Sequence, residues 1–310
     1  MGQIPIGRTI AETLGFTFGR YFSVLGVVWL PILLLGVAYY YTIMPFIEQI
    51  AMVARAAALH PHQPPPQPNI ASFNRMAPVL NLVAILTMAW MQAGVTKTAL
   101  GLRRTFPFAY IAFGMDELRL VAANLVIFAL AYGAIVAVAL VVLAVAGIGA
   151  ALASGGLMLA DDQLLMKSWG IYALIGAIAV AALTFLYFQI RLTFFLAPIT
   201  VVEKRFGLWR SWEMTRHTVW PIVAVILVIV LLFLAVEIAL TAIVAVPVGM
   251  AIADAVKTGA SADPLTVFKP LKPFLPFVGL LFLLVMPLFI GLQVGPSAFA
   301  YRALTDSNPA

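Results

Sequence analysis

Three glutamines, Gln92, Gln189 and Gln293, each stand toward the same end of a long apolar run. A side-chain amide carries two donors and an acceptor, and burying it among hydrocarbon without partners costs free energy. Amides at one depth either line a polar cavity or hydrogen-bond from helix to helix, the second being the commoner use. Asn124, near the same end of a further run, has the same two readings. Glu237 is the clearest ionisable residue inside an apolar stretch, "LLFLAVEIALTAIV". A carboxyl there could hold a proton or cation, pair with Lys167, or simply reach the nearer water interface. Arg191 closes one run, where an arginine is expected to extend its head to lipid phosphate.

Chemistry of other kinds is sparse. The chain has no HExxH, no Walker-type phosphate loop, no GxSxG elbow and no Asp/Glu/His set at ligand spacing. With three histidines and twelve acids, most of them in loops, a buried catalytic constellation is not expected, and the chain is read as non-enzymatic, with no cofactor and no metal. His60 and His62 sit in "HPHQPPPQPN" (60–69), a tract for extended or disordered chain, which reads as a solvated spacer rather than a metal site. There is no cysteine, hence no disulfide and no thiol chemistry.

The elements that must position these residues follow from composition. Of the 310 residues, 64% are hydrophobic and only 10% charged, too few to coat a water-soluble globule. An α-helix crosses a bilayer core with roughly 20 apolar residues, and barrel strands would show short alternating segments instead. Six continuous runs qualify: Tyr21–Met44, Ala77–Leu100, Leu118–Ala146, Trp169–Ile190, Pro221–Pro247 and Phe274–Ala298. The predicted fold is therefore an all-α, polytopic membrane bundle of six transmembrane helices. Gly147, Gly149, Gly155 and Gly156 are expected to end the third run, and Pro247 with Gly249 the fifth. The first run is too long for a signal peptide and lacks a small-residue cleavage site.

Lysines and arginines orient the bundle. Arg8, Arg20, Lys97, Arg103, Arg104, Arg119, Arg191, Lys204, Arg205, Arg210, Arg216 and Arg302 fall on one side, twelve of the eighteen. The remaining six, Arg55, Arg75, Lys167, Lys257, Lys269 and Lys272, fall on the other. The positive-inside rule then predicts cytoplasmic termini and attraction of the inner face to anionic lipid headgroups. No soluble basic domain exists to bind nucleic acid.

Before the fifth run stands "GLWRSWEMTRHTVW", in which Trp209, Arg210, Trp212, Arg216 and Trp220 suit an interfacial helix contacting lipid headgroups or a partner protein. Glu213 is spaced to pair with Arg216 and His217. A similar lead-in precedes the first run, with Ile6, Ile10, Leu14 and Phe18 four apart and Thr9 and Glu12 at capping-box spacing. "RRTFPFAYIAFGMDEL" precedes the third run in the same way. The single membrane domain (1–310) thus reads as three units, 1–104, 105–205 and 206–304, each an interfacial helix, two spans and a basic exit. Of the outer loops, the second is expected to be a short turn carrying Asp161 and Asp162. Ala129, Gly133 and Ala137, and likewise Ala173, Ala177 and Ala181, form small-residue stripes suited to close helix packing.

"FFLAPITVVEKRFGLWRSWEMTRHTVWPI" (194–222) and the closing "VGPSAFAYRAL" (294–304) resemble a bacterial six-span family. It comprises the membrane domain of some glycerophosphoryl diester phosphodiesterases and stand-alone proteins of the YciC type. The resemblance implies a bacterial inner-membrane location. The family's enzymes act through a separate soluble barrel, for which six spans leave no room here, so no catalytic residue carries over. The expected function is a non-enzymatic membrane protein that organises lipid or an envelope complex. The alternative is a small transporter or lipid translocator, with a polar path between hairpins lined by Glu237 and the three glutamines.

Overall fold

A computed structural model describes residues 4–59, 71–103, 110, 114–154, 160–257 and 275–306. The tract 60–69 with His60 and His62, most of the third lead-in and the third outer loop lie outside the described residues. Nine helices follow one another among those described: α1 (Ile6–Gly19), α2 (Tyr21–Leu59), α3 (Ala71–Ala99), α4 (Met115–Ser154), α5 (Ala160–Thr193), α6 (Leu196–Glu203), α7 (Leu208–Thr215), α8 (Val219–Lys257) and α9 (Leu275–Asp306). Six of them, α2, α3, α4, α5, α8 and α9, are long and apolar enough to cross a membrane, and no strand occurs among the described residues. The chain is a multi-pass helical membrane protein.

α4 passes the first two of its four expected end glycines and is described up to Ser154, directly before Gly155, while the expected end of α8 does not form. α4 runs through Gly147 and Gly149, and α8 through Pro247 and Gly249, to lengths of 40 and 39 residues. Away from water, unpaired backbone groups cost more than a glycine or a single proline in a helix, so the helix continues. Asp161 and Asp162 belong to the first turn of α5 rather than to a loop.

The core occupies the half of the bundle next to the charged ends of the helices. α2 and α3 form a tight hairpin, α9 packs across both, and α4 joins through α3. The hairpin closes where a Cβ on Gly94 would lie 2.5 Å from Val27 Cγ1. Beyond Ile127 on α4 and Ile229 on α8, no described side chain of either helix is buried. Leu140, Leu183 and Ile238 there point outward, as lipid-facing residues do.

Both short lead-in helices bury small polar residues most deeply, while Ile10 and Leu14 of α1 and Leu208 and Met214 of α7 pack partly buried against the core. In α1, Thr9, Thr13, Phe16 and Thr17 are buried, whereas Ile6 and Phe18 of the apolar stripe are exposed. The threonines meet Gly291 and Gly295 of α9: a Cβ on those glycines would come within 2.9 Å of Thr17 Cγ2 and 2.8 Å of Thr13 Cγ2. This is a small-xxx-small contact, which lets backbones approach closely in lipid. The capping box does not form, because α1 begins at Ile6 after Pro5 with no side-chain cap. In α7 the buried residues are Ser211 and Thr215. The expected small-residue stripe of α4 makes no such clasp, since a Cβ on Gly133 would meet nothing within 4 Å. In the matching stripe of α5, the side chains of Ala173 and Ala177 lie outside the described residues.

The contrast between glycines of one helix is testable. Gly295→Leu should lower stability by about 1–3 kcal/mol through overpacking against Thr13. Gly279→Leu, where a Cβ meets nothing within 4 Å, should stay within about 0.5 kcal/mol. Thermal unfolding of the two variants in one detergent makes the comparison.

Candidate functional site

The side chains of Gln92 (α3), Asn124 (α4), Gln189 (α5) and Gln293 (α9) converge on one cavity of about 350 Å³. Gln92 stands seven residues before the end of α3 and Asn124 nine after the start of α4, so the cavity lies about 10–14 Å inside the charged end of the bundle. Its walls are apolar, with Ile127, Leu196, Ile226, Ile229, Val230, Phe233 and Leu292, and none of its lining side chains is ionisable.

Hydrogen bonding inside the cavity is incomplete. Asn124 Nδ2 donates to Gln92 Oε1 over a long 3.4 Å. Thr193 and Ser297 turn their hydroxyls to carbonyls of their own helices, Gln189 O and Val294 O. The Gln189 and Gln293 amides make no side-chain hydrogen bond among the described residues. Pro296, also on the wall, cannot supply the N–H that a helix would direct at the Leu292 carbonyl. The cavity thus offers donors and acceptors to a guest.

α5 and α8 stand on either side, touching where Ile190 of α5 joins Ile222 and Ile226 of α8 in one apolar cluster. α5 rests on α4, α6 and α7, and α8 on α1 and α9, while contact between α5 and α8 is marginal among the described residues. With so few backbone contacts between them, the cavity borders a loosely packed seam, a gap between the two helices. Glu237 does not line it. That residue is exposed one turn beyond Phe233, which stacks on Phe289 at a centroid distance of 4.9 Å. An aromatic pair separates the acid from the amides. The Lys167 side chain, its expected partner, lies outside the described residues.

Carboxylates fasten the charged end. Glu117 is 1% exposed and accepts from Lys97 Nζ at 2.7 Å, Tyr110 OH at 2.6 Å and the Gly114 amide at 2.8 Å. Neighbouring Asp116 bridges Lys97 at 3.1 Å and Lys204 at 2.6 Å. Together they join α3, the start of α4 and the end of α6. Burial, reinforced by the bond to Glu117, pushes the Tyr110 hydroxyl up to about 12, so it remains a neutral donor. Glu203 pairs with Arg205 and Arg210 and accepts from Tyr301 OH at 3.1 Å. Glu12 takes Arg8 at 2.8 Å and Arg302 at 2.9 Å, tying α1 to α9. The long-range partners of these acids are not legible in the sequence, Arg302 lying 290 positions from Glu12.

Arg191 does not reach out to lipid. It is 6% exposed and donates to Trp212 O at 2.8 Å, Tyr187 OH at 3.0 Å and Thr215 Oγ1 at 3.3 Å. Its guanidinium lies 3.6 Å from the Trp212 ring, which stacks on Phe188. Trp212 is therefore a clamp between α5 and α7 that stays partly exposed. Arg210 is drawn to Glu203 and to Glu213, which pairs with it rather than with Arg216 or His217. Trp209, Arg216 and Trp220 remain exposed. No group of three or more metal-ligating side chains occurs among the described residues. No protein-family profile, curated protein or solved structure matches the chain.

Removing one member of a buried ion pair leaves the other uncompensated. Lys97→Met should therefore cost about 3–5 kcal/mol, and adding Glu117→Leu should restore much of it; melting temperatures in detergent check both. At Glu12, burial raises the carboxyl, but the hydrogen bonds from Arg8 and Arg302 outweigh it and hold the group below its ordinary 4.5. Its stabilising effect is thus present at neutral pH and lost as pH falls through the lowered value. The melting-temperature gap between the natural protein and Glu12→Gln should close with acidification below 4.5.

Proposed function

We propose that this is a non-enzymatic inner-membrane protein that handles lipid, taking part of a lipid molecule into the amide cavity between its hairpins. The observation that carries this reading is the convergence of Gln92, Asn124, Gln189 and Gln293 on a space that adjoins the gap between α5 and α8. Polar groups placed in hydrocarbon without complete partners invite a guest that supplies them. A guest entering from the membrane is itself a lipid. The absence of any ionisable side chain from the cavity wall supports binding over hydrolysis. The concentration of Lys and Arg at the terminal end supports cytoplasmic termini, with the cavity at inner-leaflet depth. The family suggested by residues 194–222 and 294–304, bacterial six-span domains of the glycerophosphoryl diester phosphodiesterase and YciC types, belongs to the same proposal.

A scaffold for an envelope complex, reached through exposed Trp209, Arg216 and Trp220, is the second reading. Their exposure is its support. The two readings part in a single experiment. Gently released protein, studied by native mass spectrometry, should carry lipid that survives detergent exchange. Gln92→Leu combined with Gln293→Leu should remove it while the melting temperature holds. If the double variant keeps its lipid, and Trp209→Ala with Arg216→Ala instead removes a stoichiometric protein partner, the scaffold reading replaces the cavity reading.

A further inference from the structure

Beside the amide cavity runs a second, larger hollow that the proposed function does not require. It is an apolar groove of about 800 Å³ between α4 and α5, walled by residues such as Leu130, Ala134, Val138, Ala181, Phe185 and Phe188. Ile127 and Gln189 line both hollows, so the groove adjoins the cavity. From there it leads away from the charged end on both helices, over Ile127–Val138 of α4 and Leu192 back to Ile178 of α5. Those eleven and fourteen residue steps measure about 16 and 21 Å. One leaflet of hydrocarbon is about 15 Å deep. Alanines make the groove: Ala131, Ala134 and Ala137 face Ala181 and Ala182 across it, leaving space where larger side chains would close the helices on each other.

Polarity therefore changes once along this path, from amides at the charged end to hydrocarbon beyond, in the sense that a lipid of the leaflet on that side presents. The amide end also selects. It holds no cation for a phosphate and no anion for an amine, since every lining side chain is uncharged. Arg191, close by in sequence, is spent on Trp212, Tyr187 and Thr215. Placing a net charge there without a counter-charge is strongly unfavourable. Hydroxyls and esters suit it instead: a hydroxyl both donates and accepts, and an amide answers both.

Resting on the lipid-handling reading, we propose that the cavity and the α4–α5 groove form one site for a lipid with an uncharged, hydroxyl-bearing headgroup. The headgroup lies among Gln92, Gln189 and Gln293, and an acyl chain lies along Ala134 and Ala181. The lipid enters sideways, between α5 and α8, from the leaflet on the charged side. Diacylglycerol and glycosylated diacylglycerol are of this chemical class.

Reconstitution into phosphatidylcholine nanodiscs containing a diacylglycerol with a photoreactive acyl chain tests the proposal. Cross-linked peptides should come from α4 and α5 between 127–138 and 178–192. Unlabelled diacylglycerol or glycosyl diacylglycerol should compete at least tenfold better than phosphatidylglycerol. Ala134→Trp, which fills the groove from a partly exposed position, should reduce labelling about tenfold with the melting temperature unchanged. Gln293→Leu should do the same from the other end. Equal competition by phosphatidylglycerol would overturn the uncharged headgroup while leaving lipid binding intact. Saturable labelling untouched by Ala134→Trp, or competed by a free polyol alone, would overturn the groove. Labelling that never saturates with any lipid would remove the cavity reading itself.

Discussion

In a bilayer, a leucine gains almost nothing by leaving lipid for the interior of a protein, because both surroundings are hydrocarbon. Everything that holds this bundle together has to come from elsewhere. It comes from backbones brought close over small residues and from polar groups that find each other. Hence α1 presents Thr13 and Thr17 to Gly291 and Gly295 and leaves Ile6 and Phe18 outside. Hence too α7 presents Ser211 and Thr215 to the Arg191 carbonyl, with Ser211 Oγ donating to it at 2.9 Å, and leaves Trp209 outside.

The polar half of that solution is concentrated at one end. Three carboxylate nodes, around Glu117 with Asp116, Glu203 and Glu12, fasten helices whose residues are far apart in sequence. The Arg191–Trp212 stack adds a fourth fastening between α5 and α7. Each fixes a helix near its charged terminus and none reaches the far half. The hairpins are therefore bound at one end, with α4, α5 and α8 exposing their outer halves.

That asymmetry is what produces the cavity. Helices clamped at one end and diverging beyond it leave a wedge of space just past the clamps, and the wedge falls at the depth of the amides. α5 belongs to the α4 hairpin and to α7, and α8 belongs to α9 and α1, so among the described residues little beyond the cluster of Ile190 with Ile222 and Ile226 draws the two together. The alanines of α4 and α5 extend the wedge into a groove rather than sealing it. Binding space here is a product of where the polar fastenings stop.

The sequence by itself determined the number of membrane-crossing helices, because continuous apolar length has no other use in a chain so poor in charge. It also determined that Gln92, Gln189 and Gln293 all stand toward the charged ends of their helices, since that is counted along each run. It could not determine that they meet around a cavity, which depends on the rotation of each helix about its axis. In water the apolar stripe of a helix sets that rotation by turning inward. In lipid it does so less, which is why α1 and α7 bury Thr13, Thr17, Ser211 and Thr215 more deeply than their apolar stripes. The length of α8 is hidden for the same reason, as glycine and proline end helices in water more readily than in hydrocarbon. Partner choice among charges is equally out of reach: Lys97 meets Glu117, and Lys204 meets Asp116, across 20 and 88 positions of chain. Only the packed bundle decides such pairs, because a Coulomb interaction depends on distance in space and carries no trace of distance along the chain.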